Sequence, residues 1–318
     1  MSKPKIYIDG QEGTTGLQIH DRLGGRDDID LLRIDADKRK DLTERKRLMD
    51  AADLVFLCLP DAAAKEAAAL VDLETTRIID ASTVHRVAPG WVYGFAELLR
   101  GQRKNIEHAK RVANPGCHAS GFLVGVTPLV SLGVLPPDYP VTCFSLTGYS
   151  GGGKKMIEQY EAGEKGEELY SPRVYGTTLK HKHLAEMTQI AGLEQPPIFC
   201  PVVDDYYKGM ATTVMLYNKY LKGQPTAQEL CYILAAYYAK ETVVRVAPFN
   251  ADGDTLAANT FAGTDIMEIS VSGNREQTIL TARFDNLGKG ASGAAVQNMN
   301  LMLGFEETKG LQLSSQLS

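Results

Sequence analysis

The chain has few of the features that mark a membrane, secreted or metal-binding protein. No apolar run approaches the roughly 18–20 residues needed to span a bilayer. The opening Met1-Ser2-Lys3-Pro4 leads toward a strand rather than the apolar stretch of a signal peptide, so a cytoplasmic location is expected. The five cysteines, Cys58, Cys117, Cys143, Cys200 and Cys231, are odd in number, widely spaced and without a C-x-x-C pair. That spacing disfavours a disulfide framework and a zinc ribbon. Charge of one sign is also scarce: 34 Lys and Arg stand against 39 Asp and Glu, a net charge of −5. Basic clusters such as Lys38-Arg39-Lys40 and Arg45-Lys46-Arg47 are short and mixed with acids, so nucleic acid is not expected as a partner. Repeats, low-complexity tracts and flexible linkers are lacking. What is there is 318 residues, 44% hydrophobic and 23% charged, an ordinary globular composition with length for two domains.

Residues 5–9 (K-I-Y-I-D) form a short apolar run that ends at Gly10, and a helical pattern follows over about 14–23. Strands are expected at about 30–35, 53–59 and 77–81, with a helix over 61–72 that Asp61 would cap after Pro60. Strands alternating with helices at this spacing imply a parallel sheet of βαβ units, a Rossmann-like first half. Beyond about residue 140 the texture becomes β-rich, in runs such as V-T-C-F-S-L-T, P-I-F-C-P-V-V, M-A-T-T-V-M-L-Y and Q-T-I-L-T-A-R-F. Ser272-Gly273-Asn274 reads as the turn of an antiparallel hairpin, and Thr226-Ala-Gln-Glu229 as a capping box opening a helix over about 226–239. The expected fold is therefore α/β: a Rossmann-like dinucleotide-binding domain plus an α+β domain with a largely antiparallel sheet. The first domain would span 1–117, completed by a C-terminal helix within about 286–318, and the second 118–285.

Gly10-Gln11-Glu12-Gly13-Thr14-Thr15-Gly16 gives G-x-x-G-x-x-G, not the G-x-G-x-x-G of the usual dinucleotide fingerprint. Its mechanics are still those of a phosphate cradle, since glycines let the backbone turn tightly and a helix N-terminus beyond supplies unpaired N–H groups. A tight turn without a ligand is the plain alternative. After the second strand, Asp35 and Asp37 compete with Arg33, Lys38 and Arg39, and the basic residues clustered at the mouth of the site favour NADP over NAD.

Asn114-Pro115-Gly116-Cys117-His118 lies between the strand R-V-A and the helical stretch G-F-L-V-G-V. A cysteine on a turn at a helix start has its thiolate favoured by the helix dipole, and the thiolate is the competent nucleophile. The other four cysteines, among apolar neighbours, read as small buried hydrophobes. An acid/base partner is supplied by His181-Lys182-His183, whose imidazoles share a face if the segment is extended. No Cys/His set completes a metal site around them, so no metal is expected. His20, His85, His108 and His118 read as surface or capping residues, with His118 left open by its place beside Cys117. Gly148-Tyr149-Ser150-Gly151-Gly152-Gly153-Lys154-Lys155 opens a helix and is a second potential anion site, or a glycine loop with solvated lysines.

The glycine turn, N-P-G-C, G-Y-S-G-G-G, H-K-H and the closing D-N-L-G-K-G-A-S-G-A-A-V-Q-N-M-N together resemble N-acetyl-gamma-glutamyl-phosphate reductase over essentially the whole chain. The stretch Ala81-Ser82-Thr83-Val84-His85-Arg86 resembles the shorter, type 2 branch. The resemblance places the chain in the semialdehyde dehydrogenase superfamily and implies NADPH-dependent reduction of an acyl phosphate in arginine biosynthesis, in the cytoplasm. It implies a small-molecule substrate and a homo-oligomer. Its nucleophile falls on Cys117, its imidazoles on His181 and His183, and its substrate and phosphate contacts on Asn114, Ser150 and nearby glycines, while the cationic loop itself offers Lys154 to the leaving phosphate. Its cofactor contacts fall on Gly13, Thr14, Thr15, Gly16, Ser82, Asn286 and Gly290, to which the glycine turn itself adds Gly10 and the basic cluster Arg39. Aspartate-semialdehyde dehydrogenase activity and a non-catalytic NADP-sensing redox protein are the alternatives.

Overall fold

Strand β1, Lys5–Asp9, alternates its buried side chains, and that alternation builds the first unit. Ile6 and Ile8 face one apolar cluster and Tyr7 the other, so both faces of the strand are covered. The structure is a computed structural model that describes residues 2–10, 13–251 and 253–314. The chain divides into two compact units, the first made of Met1–Ala96, Gly101–Pro115 and Ala291–Leu311.

In that unit β1 is followed by α1 (Thr14–Gly24), β2 (Asp30–Leu32), α2 (Leu42–Ala51), β3 (Leu54–Leu57), α3 (Asp61–Leu70), β4 (Arg77–Asp80), β5 (Val92–Tyr93), α4 (Gln102–His108) and β6 (Arg111–Ala113). The six strands form one parallel sheet in the order β2-β1-β3-β4-β6-β5. A C-terminal helix, Gly293–Leu303, returns to this unit and buries Ala295, Val296, Met299 and Met302 against Ile6, Ile8 and Ile19. Helix α2 escapes a search for apolar periodicity because L-T-E-R-K-R-L-M-D-A buries only Leu48 and Met49. Its start is nonetheless written locally, with the Asp41 carboxylate accepting from the Thr43 and Glu44 amides at 2.8 and 3.4 Å. Asp61, expected to cap α3, does not. Pro60 holds the cap position, and the Asp61 carboxylate instead accepts from the Thr83 amide at 2.9 Å and from the Thr83 hydroxyl.

The second unit comprises Glu97–Arg100, Gly116–Gly290 and Gln312–Ser318, of which residues 315–318 lie outside the described set. Its elements are α5 (Cys117–Ser131), β7 (Thr142–Gly148), α6 (Lys154–Tyr160), β8 (Arg173–Val174), α7 (Leu184–Gln189), β9 (Ile198–Asp204), β10 (Met210–Tyr217), α8 (Ala227–Tyr237), β11 (Val244–Val246), β12 (Met267–Gly273) and β13 (Gln277–Phe284). The seven strands run β11-β12-β13-β10-β7-β9-β8; β7 pairs with β9 and β11 with β12 in parallel, and the other neighbours are antiparallel. The expected hairpin joins β12 to β13, and the Thr226 capping box is complete, the hydroxyl accepting from the Glu229 amide while Glu229 accepts from the Thr226 amide. Helix α5 lies directly on the sheet at Gly121, where a Cβ would collide with the Thr212 side chain of β10 and the Phe284 ring of β13. On the opposite sheet face Phe144, Ile198, Met215, Tyr217 and Ile279 are exposed. The expected tail helix is preceded by a π-turn over Gly288–Ser292.

Candidate active site

Each unit carries one arrangement built for chemistry. In the first, Gly10 ends β1 with φ +84°, a conformation glycine adopts freely, and a Cβ there would run into the Cys58 carbonyl oxygen. Gln11 and Glu12 of the same turn lie outside the described residues. Gly13 occupies the N-cap of α1, Thr14 and Thr15 begin the helix, and Gly16 is buried in its first turn. Gly10 and Gly13 border a cavity of about 510 Å³ that Cys58 and Pro60 also line, with Arg39, Lys40 and Arg45 as its cations. Arg45, which no sequence pattern singled out, makes a two-pronged ion pair with buried Asp9 at 2.6 and 3.1 Å. Volume, a helix N-terminus and the Arg39 and Lys40 cations fit a phosphate-bearing dinucleotide.

Ser82 of the same unit donates its amide and hydroxyl to Asp80, at 3.0 and 2.6 Å, and His85 Nδ1 meets the same carboxylate at 2.6 Å. His85 is therefore no surface residue: it is buried and stacked on Trp91 with centroids 4.0 Å apart. Asn114 is also buried. Its side chain donates to the Ala291 carbonyl and accepts from Asn298, which ties β6 to the C-terminal helix.

In the second unit Cys117 is the first residue of α5, a 15-residue helix buried along most of its length. Gly116 caps it without a side-chain partner for the first-turn amides. Those N–H groups and the helix dipole favour a negative charge at the sulfur. The Gly116 amide is held by Glu186 Oε2 at 3.1 Å, and the other Glu186 oxygen lies 3.9 Å from His183 Nε2. Glu186 thus links the turn before the cysteine to the imidazole pair; its spacing three residues after His183 was the one sequence signal for it. His181 and His183 do converge, with ring centroids 4.7 Å apart, but through a turn and not an extended segment. The His183 amide donates to His181 Nδ1 at 3.1 Å, which folds the segment back on itself.

His118 is neither a surface nor a capping residue. It is buried between Ser145 Oγ, 2.8 Å from Nδ1, and the Tyr175 hydroxyl, 2.6 Å from Nε2. Its ring lies 5.7 Å from those of both His181 and His183. Burial, reinforced by the nearby His181 and Lys182 charges, lowers it from the ordinary 6.5 to about 3. The unfolded chain takes up this proton below about pH 6.5, whereas the folded chain refuses it until about pH 3. Stability from this group is accordingly complete above pH 6.5 and falls with the pH, by on the order of 3 kcal/mol at pH 4. Urea midpoints measured from pH 7 to pH 4 are expected to show that slope, and His118→Gln to flatten it.

Ser150 and Asn286 are brought together: Asn286 Nδ2 donates to Ser150 Oγ at 3.0 Å, and its Oδ1 accepts from the Gly209 amide. Gly290 packs beside the cysteine, since a Cβ on it would stand 3.1 Å from Cys117 Cβ. Asn286 and Gly290 thus belong to the cysteine's unit, not to the unit of the glycine turn. Lys154 starts α6 in the open, 3.9 Å from Glu158. Of the other cysteines, Cys143 and Cys231 are buried while Cys58 and Cys200 are half-buried. Burial pushes the Cys58 thiol up to about 12 and raises Cys143 and Cys231, so none of these three offers a ready thiolate. Among the described residues no group of three or more His, Cys, Asp or Glu is placed to hold a metal ion, and no helix is long and apolar enough to cross a membrane.

Residues 7–106 match the family profile of the semialdehyde dehydrogenase NAD binding domain, and residues 117–286 that of the semialdehyde dehydrogenase dimerisation domain. Profiles, fold and cysteine site together define an oxidoreductase of the semialdehyde dehydrogenase class with a nicotinamide-binding unit. The chain is 48% identical to N-acetyl-gamma-glutamyl-phosphate reductase 2 of Nostoc sp., over 98% of this chain and 100% of that one. It is 49% identical to N-acetyl-gamma-glutamyl-phosphate reductase of Chelativorans sp., over 94% of this chain and 98% of that one. The chain belongs to the N-acetyl-gamma-glutamyl-phosphate reductase family. Among solved structures, aspartate semialdehyde dehydrogenase II of Vibrio cholerae superposes with a TM-score of 0.72 at 14% identity, covering 96% of this chain and 99% of its own. The enzyme of Francisella tularensis gives 0.69 at 14% identity, with 93% and 99% covered; at that identity both establish the fold alone.

Proposed function

We propose that this chain reduces N-acetyl-gamma-glutamyl phosphate to N-acetylglutamate semialdehyde and phosphate with NADPH, through a thioester on Cys117, as a step of arginine biosynthesis in the cytoplasm. The observation that carries this reading is the position of Cys117 at the first residue of a long buried helix, where the next residue, His118, clusters with His181 and His183. The Cys117 thiolate attacks the acyl carbon, the bond to the phosphate oxygen breaks, and phosphate leaves with the electron pair. The first-turn amides of α5 stabilise the oxyanion, and Lys154 is an exposed cation for the departing phosphate. NADPH, when bound, supplies the hydride that converts the thioester to a thiohemiacetal.

A histidine protonates the oxygen of that thiohemiacetal and takes the proton back as the aldehyde is released. His181 is the better candidate and His183 the second. Because His181 Nδ1 accepts the His183 amide, Nε2 is the nitrogen left to carry the proton to and from that oxygen. Ser150 and Asn286, bonded to each other, hold the backbone of the cysteine's unit in this reading, and Ser82 and Asn114, with their side chains bonded to protein partners, hold that of the nucleotide-binding unit.

The cavity beside the glycine turn supports NADPH, with Arg39 meeting the 2′-phosphate. Arg39→Ala is expected to weaken NADPH about tenfold or more, the worth of a charge-assisted hydrogen bond, and NADH less than about threefold. Fluorescence titration of both nucleotides checks this, and equal losses would favour NAD. The exposed apolar face of the second unit's sheet, with Phe144, Met215 and Ile279, supports pairing with a second copy. The decisive assay is phosphate-dependent NADP reduction with N-acetylglutamate semialdehyde. Turnover is expected there and not with aspartate semialdehyde; the reverse preference, or no turnover, overturns the reading.

A further inference from the structure

We propose that His118 is a positioning residue, forming with Tyr175 a latch that holds the turn carrying His181 against the helix start carrying Cys117. The inference rests on the thioester reading above and deepens it. Tyr175 opens the segment that ends at His181, and its ring lies 5.9 Å from the His181 ring. Residues 177–180 between them are exposed, and Gly176 and Leu179 both have positive φ, +63° and +55°. This stretch has little packing of its own to set where His181 sits. Its front end is anchored at two points. The Tyr175 amide donates to the Pro201 carbonyl at 3.0 Å, and the Tyr175 hydroxyl meets His118 Nε2 at 2.6 Å.

His118 is itself held from behind. Nδ1 is 2.8 Å from Ser145 Oγ, which is 2.8 Å from Thr212 Oγ1, so the ring is fixed to the neighbouring strands β7 and β10. A neutral imidazole has one donor and one acceptor nitrogen, which matches one hydroxyl on each side. Burial keeps His118 neutral down to about pH 3, too acidic for a proton carrier near neutrality. The remaining role is geometric. His118 follows Cys117 in the chain and both lie in the first turn of α5, so one rigid element sets the nucleophile and, through Tyr175, the approach of the imidazole.

The test uses the full-length enzyme with His118→Leu, His118→Gln, Tyr175→Phe and the Leu/Phe double variant. Displacing a catalytic group by about 1 Å costs up to about a hundredfold, so each of H118L and Y175F is expected to lower kcat at least about tenfold, with KM changed less than about threefold. The double variant should be no slower than the slower single, because both remove one latch. H118Q, which keeps a hydrogen-bonding end, should recover part of the rate. A kcat within twofold of wild type in Y175F, or losses that multiply in the double variant, overturns the proposal. If the wild type shows no turnover, the reductase reading fails, and the latch is read from iodoacetamide labelling of Cys117 in the peptide map. Labelling at neutral pH slowed equally in both single variants and the double supports the latch; an unchanged rate in all three overturns it.

Discussion

Cys117→Ser is expected to lose at least about a thousandfold in kcat while binding NADPH with unchanged affinity. The substitution changes one atom and preserves the helix start, so the loss isolates nucleophilicity. A serine hydroxyl is a far weaker acid than a thiol, and the partial charge of a helix N-terminus is too small to ionise it. The residues proposed to hold the cofactor at the glycine turn, Gly13 and Arg39, belong to the other compact unit. Stopped-flow measurement of NADPH oxidation with the acyl phosphate, alongside a fluorescence titration of the nucleotide, separates the two effects. A serine variant that reduces substrate at a normal rate removes the covalent step from the mechanism.

Lys289→Met is expected to destabilise the fold by about 3–5 kcal/mol, the usual result of leaving one half of a buried ion pair. Lys289 and Glu97 are both almost fully buried, and Lys289 Nζ lies 2.9 Å from each Glu97 oxygen. Lys289 belongs to the π-turn Gly288–Ser292, whose next residue, Gly290, packs against Cys117. A localised π-turn at a reactive residue is a common way for a helix to aim one side chain. Adding Glu97→Leu to Lys289→Met removes the stranded charge and should restore much of the loss in urea unfolding. If the single variant unfolds at the wild-type midpoint, the pair contributes no structural support to the turn.

The two buried histidines outside the H-K-H motif differ in why they were hard to read. His118 sits beside the proposed nucleophile, and that proximity kept it open as a candidate. His85 carried no mark, because its partners Asp80 and Trp91 meet it only once β4 and the loop after it are folded. Tyr175 was invisible for the same reason: a tyrosine after a two-residue strand acquires meaning from the His118 ring, 57 positions away in the chain. Arg45 appeared as one member of a short charge cluster, and only the packing of α2 beside β1 pairs it with Asp9. Lys154, conspicuous after three glycines, remains a solvent-exposed side chain.

The amino-acid order alone determined the alternation of strands and helices, the glycine at Gly10 and the cysteine at a helix start. Each depends on neighbours within a few positions: apolar period, turn chemistry and helix capping act over one or two turns of chain. Tertiary packing alone decided which groups surround that cysteine. Glu186 at the Gly116 amide, His118 between Ser145 and Tyr175, and Lys289 on Glu97 are contacts between residues 27 to 192 positions apart. Burial then keeps His118 neutral, because desolvation is a property of the assembled interior and of no local stretch of chain.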